Sequence, residues 1–169
     1  ERQTLLESIA NTAADYREGD LPAPTPDHVD RWARQFQEEV QCALLRELDH
    51  VLKKTYLSKS TVSSFLRGMV KSTKIAGEMP CDYWAGVHFL RIQTKGHSQK
   101  EMLGLVDTIL NKECKLAVDA CGKAGGDYMY VDDVMFSGNR VGNDMATWIA
   151  EKAPAKARVH IVVAAIHTS

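Results

Sequence analysis

The sequence predicts an α/β protein: a mostly parallel sheet with flanking helices, preceded by a helical N-terminal region. Three observations carry that reading. Through the first 78 residues, apolar side chains recur at helical spacing. From residue 85 onward, apolar strand-like runs alternate with polar loops and helical patterns, the order of parallel strands joined by crossover helices. In residues 128–149, a β-favouring run (Tyr128, Met129, Tyr130, Val131) ends on Asp132 and Asp133. Ser137-Gly138-Asn139-Arg140 follows, and then a helical pattern through Val141, Met145, Trp148 and Ile149.

A chain of 169 residues suits one domain, or a small core with an added helical layer. Hydrophobic residues make up 44% and charged residues 25%, as in soluble globular proteins. The net charge of −1 gives no global attraction to nucleic acid or anionic lipid. No apolar run approaches the roughly 18 to 20 residues of a membrane span, and none reads as a secretory signal, so a cytoplasmic protein is expected. The chain starts at Glu1 rather than Met and stops just after a strand. A piece of a longer protein, continued beyond its C-terminus, is therefore expected. Cys42, Cys81, Cys114 and Cys121 are dispersed without a CxxC pair, which reads as four free thiols.

The elements follow in order. Leu5, Ile9, Ala13 and Tyr16 mark a helix within residues 1–17, and the Gly19 to Pro26 segment breaks it. Thr25 is a good N-cap and Pro26 suits the first helical position, so a second helix starts there, with Val29, Trp32, Ala33 and Phe36 inward. A third runs through Val40, Leu44, Leu45, Leu48, Val51 and Leu52, with Lys53 and Lys54 favourably placed at its C-terminal dipole end. Ser58 or Ser60 caps a fourth, through Val62, Phe65, Leu66, Met69 and Val70, ending near Gly77. Residues 1–78 thus form a helical region suited to scaffolding or to binding a protein partner, and residues 79–169 form the α/β core. His28 and His50 lie in helices and read as surface or packing residues.

In the core, the run from Ala85 through Gln93 reads as the first strand. A polar loop, Gln93 to Gln99, follows, and Ser98 is expected to cap the next helix (Met102, Leu105, Val106, Ile109). Residues 115–121 fit either a short strand or a helix end. Gly122, Gly125 and Gly126 make a turn before the strand that carries the acidic pair. After the helix of residues 139–152, the run from Arg158 to Ile166 suits a strand buried on both faces. In this order the loops 93–99 and 134–140 both leave the carboxyl ends of strands, the edge where open α/β sheets bind ligands.

The chemistry concentrates on that edge. Carboxylates accept hydrogen bonds from sugar hydroxyls, and a glycine turn opening a helix offers free N–H groups and a positive dipole end to a phosphate. The plain alternative for the acidic pair is a strand end feeding a solvated turn; for Lys95 and His97 it is an ordinary polar loop. His160 reads as a satisfied core histidine. His167, at a strand end, faces the same edge.

The stretch YMYVDDVMFSGNRVG resembles the phosphoribosyl-diphosphate-binding motif of phosphoribosyltransferases. That resemblance implies that Asp132 and Asp133 bind the ribose hydroxyls. It assigns the 5′-phosphate to the turn of Met135, Phe136, Ser137, Gly138, Asn139 and Arg140. The 93–99 loop would take the pyrophosphate through Lys95 and the Gly96 backbone. Mg²⁺ would ride on the substrate rather than in an all-protein cage, and the protein would stabilise charge as diphosphate leaves the anomeric carbon. The phrases FLRIQTKGHSQKEML, YVDDVMFSGNRVGNDMATWI and the ending VVAAIHTS look closest to the phosphoribosyltransferase-like proteins of bacterial conflict and anti-phage systems. Three features depart from the motif. Arg140 stands where a small hydroxyl residue is usual, Phe136 where a small polar one is frequent, and the 93–99 loop lacks a basic residue followed by paired glycines.

Two other readings belong to different classes. One is a non-catalytic nucleotide sensor or assembly subunit on the same fold. The other starts from Tyr130-Val131-Asp132-Asp133, which matches the Tyr-x-Asp-Asp signature of reverse transcriptases. That signature requires a β-hairpin and a further acid on a neighbouring strand.

Overall fold

The structure, a computed structural model, describes residues 1–123 and 126–167. Gly125 of the expected turn, and Thr168 and Ser169 of the quoted ending, lie outside the described residues. The chain divides into two compact units between Thr61 and Val62.

The first unit is helical. α1 (Arg2–Thr12), α2 (Pro26–Ala33) and α3 (Glu38–Thr55) bury Leu6, Ile9, Ala10, Val29, Ala33 and Leu45 in a common cluster. Thr25 caps α2 as its chemistry predicts, its hydroxyl accepting from the His28 N–H at 3.2 Å with Pro26 in the first turn. Asp30 ties α2 to α1, accepting from Arg2 at 2.6 Å. α4 (Lys59–Lys71) starts in this unit, where the Asp15 carboxylate accepts from the Lys59 N–H at 2.6 Å and the Ser58 hydroxyl from the Thr61 N–H at 3.1 Å. Ser58, not Ser60, is the capping serine.

The second unit takes in most of α4, because Leu66, Met69 and Val70 share a buried cluster with Trp84, Val106 and Met129. Ala76, from α5 (Thr73–Ala76), joins them. The boundary expected at 78/79 falls inside this unit. α6 (Pro80–Gly86) follows, a helix that the sequence reading assigned in part to a strand. Pro80 at its start and Asp82 in its first turn suit a helix N-terminus. The strand β1 is consequently only His88–Phe89.

α7 (Ser98–Cys114) leads through a 3₁₀ turn (Val118–Ala120) to β2 (Tyr128–Met135), then α8 (Asn139–Glu151) and β3 (Val159–Ile166). The sheet order is β1-β2-β3, all parallel, with Phe89 opposite Met129, Asp132 opposite Val163 and Met135 opposite Ile166. Two helices flank it. Met129 and Val131 pack in the cluster of α7, whereas Tyr128 and Tyr130 pack with Val141, Met145 and Trp148 of α8. Alternation along a strand produces that division. Gly126, just before β2, approaches Gly86 so closely that a Cβ there would stand 2.3 Å from the Gly86 carbonyl oxygen. Only glycine fits.

Three further expectations are corrected. β3 is not buried on both faces: it is an outer strand of this sheet, with Ile161 48% and Ile166 58% exposed. Ser98 does not cap α7, because His97 holds that position and no side chain caps it; the Ser98 hydroxyl accepts from the Gln93 amide at 3.1 Å. Nor are all four cysteines free. Cys81 on α6 and Cys114 at the end of α7 form a disulfide, their Cα atoms 5.3 Å apart, while Cys42 and Cys121 stay free. Among the described residues, no helix is long and apolar enough to cross a membrane.

The end of the sheet where β2 and β3 begin is tied by Asp127, which is 7% exposed. It accepts from Arg158 at 2.6 Å and from the Tyr83 hydroxyl at 3.0 Å, and pairs with His160 Nε2 at 2.9 Å. His160 is thus a half-exposed partner of an acid rather than a core histidine. Burial alone would raise the Asp127 pKa, but hydrogen bonds from Arg158, His160 and Tyr83 outweigh it and hold the carboxyl below its ordinary value. Burial and Asp127 in turn push the Tyr83 hydroxyl up to about 12. A carboxyl depressed in the folded state contributes stability that is complete above its unfolded pKa of about 3.9. That stability is lost as pH falls through the lower folded value. Thermal midpoints measured from about pH 6 down to pH 2 should therefore fall less steeply on the acid side in Asp127→Asn than in the parent.

Candidate functional site

β2 continues two residues past the acids, pairing Val134 with Ala165 and Met135 with Ile166. The acids therefore lie within the strand, not at its end. Alternation sends Asp132 to the same side as Tyr130. Asp132 is 2% exposed, and its Oδ1 accepts from the Asp133 N–H at 3.0 Å. Its Oδ2 accepts from the Gln93 amide and from the Tyr130 hydroxyl, both at 3.3 Å. Asp133 projects to the other side and is exposed, with Oδ1 accepting from the Val134 N–H at 2.7 Å. Partial desolvation at the strand, with Asp132 adjacent, holds the Asp133 carboxyl above its ordinary pKa.

Past Met135 the chain turns through Gly138, whose φ of 75° lies in the left-handed region that glycine tolerates, and enters α8. Gly138, at the N-cap, supplies no side-chain cap, which leaves N–H groups of the first turn of α8 without an intrahelical acceptor, as at anion-binding helix starts. The Ser137 hydroxyl accepts from the Asn139 N–H at 3.4 Å. A cleft of about 370 Å³ is lined by Asp132 together with Met135, Phe136, Ser137, Gly138, Asn139 and Arg140. Seven of the ten residues singled out in the sequence thus border one space. Phe136 is 65% exposed and lies against His167, ring centres 5.6 Å apart.

Asp133, Lys95 and Gly96 do not line that cleft, but Lys95 and Gly96 are joined to it. The Arg140 guanidinium donates to the Lys95 carbonyl oxygen. Gly96, with φ of 97°, lies so near that a Cβ would stand 3.3 Å from Arg140 Nη1. Lys95 meets the site through its backbone. The 93–99 loop is held by reciprocal glutamines: Gln99 Oε1 accepts from the Ile92 and Gln93 N–H groups at 2.9 and 3.0 Å. Gln93 Oε1 accepts from the Gln99 N–H at 3.2 Å.

Two participants escaped the sequence reading. Asp144, on α8, is 5% exposed and accepts from the Tyr130 hydroxyl at 3.2 Å and the Thr94 hydroxyl at 3.4 Å. Tyr130 is fully buried, and its single hydroxyl proton lies between Asp132 and Asp144. A signal for Asp144 existed. Val141, Asp144, Met145 and Trp148 follow the i, i+3, i+4, i+7 spacing of one helix face, so an acid sits on an otherwise apolar stripe. Burial and the two carboxylates push the Tyr130 hydroxyl well above its ordinary value.

Chemically, the arrangement presents a buried, well-held carboxylate beside a glycine turn and an uncapped helix start, which suits a polyhydroxylated phosphate ester. Among the described residues, no group of three or more His, Cys, Asp or Glu stands together to hold a metal ion. The parallel neighbours on both sides of β2, and the helix after it, exclude the hairpin that a Tyr-x-Asp-Asp polymerase needs.

No curated protein and no solved structure matches the chain. A model of the PRTase-CE family does, over residues 29–169, which takes in both the helical segments from Val29, within α2, onward and the whole sheet. Over that length, with a parallel sheet and the acid-to-glycine turn in its carboxyl-edge loop, the chain belongs to PRTase-CE, a phosphoribosyltransferase-like family.

Proposed function

We propose that this protein binds phosphoribosyl diphosphate, or a nucleotide, in the cleft between Asp132 and the 135–140 turn. It then acts on the ribosyl C1 as a cytoplasmic component of an anti-phage defence system. The observation that carries the binding reading is the convergence of Asp132 with six consecutive turn residues on one cleft. Asp132 would accept from a ribose hydroxyl, and the N–H groups at the start of α8, with Ser137, would take the 5′-phosphate. Mg²⁺ would arrive on the diphosphate and ride on the substrate, where it would supply neutralisation of the leaving group. The defence role rests on the likeness of the 89–103 and 130–149 phrases to proteins of such systems. The exposed helical faces of residues 1–61 would serve a protein partner.

A second reading, a nucleotide sensor without turnover, is favoured by Arg140, whose guanidinium is engaged by the Lys95 carbonyl between the two loops. Calorimetry with phosphoribosyl diphosphate and nucleoside monophosphates, with and without Mg²⁺, tests the site. Asp132→Asn/Asp133→Asn should weaken phosphoribosyl diphosphate binding by about 10- to 100-fold, the worth of charge-assisted hydrogen bonds. No binding by the intact chain, or an unchanged affinity in the double variant, would remove the assignment. Diphosphate release in the same samples supports the enzyme; tight binding without release supports the sensor.

A further inference from the structure

A second cleft, of about 620 Å³, runs along α7 and shares no lining residue with the first. At one end stand His97 and Lys100, on the uncapped first turn of a 17-residue helix. Leu103 and Gly104 form its wall, with nothing within 4 Å of the place a Gly104 Cβ would take. Asp107 and Asp119 border it farther along, Asp107 Oδ1 accepting from the Val118 N–H at 2.7 Å and Asp119 pairing with Arg91, which also lines the cleft. Gln99 also lines it and is only 3% exposed. Its Oε1 is committed to the Ile92 and Gln93 N–H groups, which fixes the amide, and its Nε2 has no hydrogen-bond partner. Buried donors without a partner are rare and mark places where a ligand or water completes the bonding.

We infer that this cleft is a binding site for a small phosphorylated molecule with hydrogen-bond donors at the end away from its phosphate, a nucleoside monophosphate being the representative. The phosphate is taken by Lys100, His97 and the helix start, within reach of the Gln99 amide. Asp107 and Asp119 accept from hydroxyl or amino groups at the other end. From Lys100 to Asp107 the helix advances about 10 Å at 1.5 Å per residue, the reach of such a molecule. Binding there is distinct from the function proposed for the first cleft, although Gln93 and Gly96 of the 93–99 loop line this cleft as well. It is nonetheless connected to it, because Gln99 holds Gln93 and the Gln93 amide donates to Asp132. Occupancy of one cleft therefore biases the other, reciprocally.

The test uses the Asp132→Asn/Asp133→Asn chain, in which the first cleft is weakened, titrated calorimetrically with AMP, GMP, CMP and UMP. Inorganic phosphate and adenosine are titrated alongside. At least one nucleotide should bind, at least tenfold more tightly than phosphate or adenosine. It should shift the amide resonances of Lys100 and Gly104. Adding the exposed substitutions His97→Ala/Lys100→Ala should weaken it at least tenfold. Four results would each overturn the inference: no nucleotide bound, phosphate bound as tightly as any nucleotide, affinity unchanged by the added substitutions, or shifts confined to residues 132–141.

Discussion

Trp84→Ala is expected to destabilise the 62–169 unit by about 3–5 kcal/mol, the range for removing a large buried aromatic side chain. Trp84 is 0% exposed and sits where three elements meet. Its indole Nε1 donates to the Val70 carbonyl at the end of α4 at 2.7 Å. Its ring meets Tyr83 of α6 edge-on at 5.0 Å and stacks on Phe89 of β1 at 6.0 Å. Alanine would leave a cavity and an orphaned carbonyl together. Phenylalanine would fill most of the volume and forfeit only the hydrogen bond and some contact, so Trp84→Phe should cost about 1–2 kcal/mol. Urea denaturation of parent and variants, read by far-ultraviolet circular dichroism, separates the two. A loss below about 1 kcal/mol for Trp84→Ala would mean that α6 does not anchor the sheet to α4.

That residue also explains why α6 was hard to read in advance. Pro80 and Asp82 announced a helix start, but Tyr83, Trp84 and the following Val-His-Phe-Leu-Arg-Ile composition favours strands. What decides the segment is tertiary: Trp84 reaches α4, and a helix delivers it there. Where a signal was local, it was legible. Thr25-Pro26 located the start of α2, and Asp132 and the Ser137-Gly138 turn border one cleft, because caps and glycine turns depend on neighbours in sequence. Long-range pairings were not. The Arg140 contact with Lys95 spans 45 residues and the Cys81–Cys114 link 33, and spacing alone carries no information on either. The apolar composition of residues 159–166 says what β3 can tolerate on its faces, not what packs there, and so it overstated the burial. Asp144 is the intermediate case. Its position on the apolar stripe was visible, but its partner, Tyr130, belongs to another element.

That partnership yields the second large effect. Tyr130→Phe is expected to cost about 2–3 kcal/mol of stability while removing a single oxygen. The donors to Asp132 and Asp144 are the neutral groups of Gln93, Thr94, Tyr130 and the Asp133 backbone. Losing the phenol leaves both buried carboxylates short of a donor, and an unmet buried charge costs more than an unmet neutral group. If the hydroxyl serves both acids, the effects of Tyr130→Phe and Asp144→Ala are not additive. The tyrosine substitution should cost at least about 1 kcal/mol less in the Asp144→Ala background, where one of its two clients is gone. Additivity within about 0.3 kcal/mol would show the two residues to be independent. Because Tyr130 also holds Asp132 in place at the cleft, Tyr130→Phe should weaken ligands that carry ribose hydroxyls. Inorganic pyrophosphate, which has no hydroxyls for Asp132, should bind the variant and the parent alike. Equal weakening of both would move the role of Tyr130 from orienting a carboxylate to supporting the cleft as a whole.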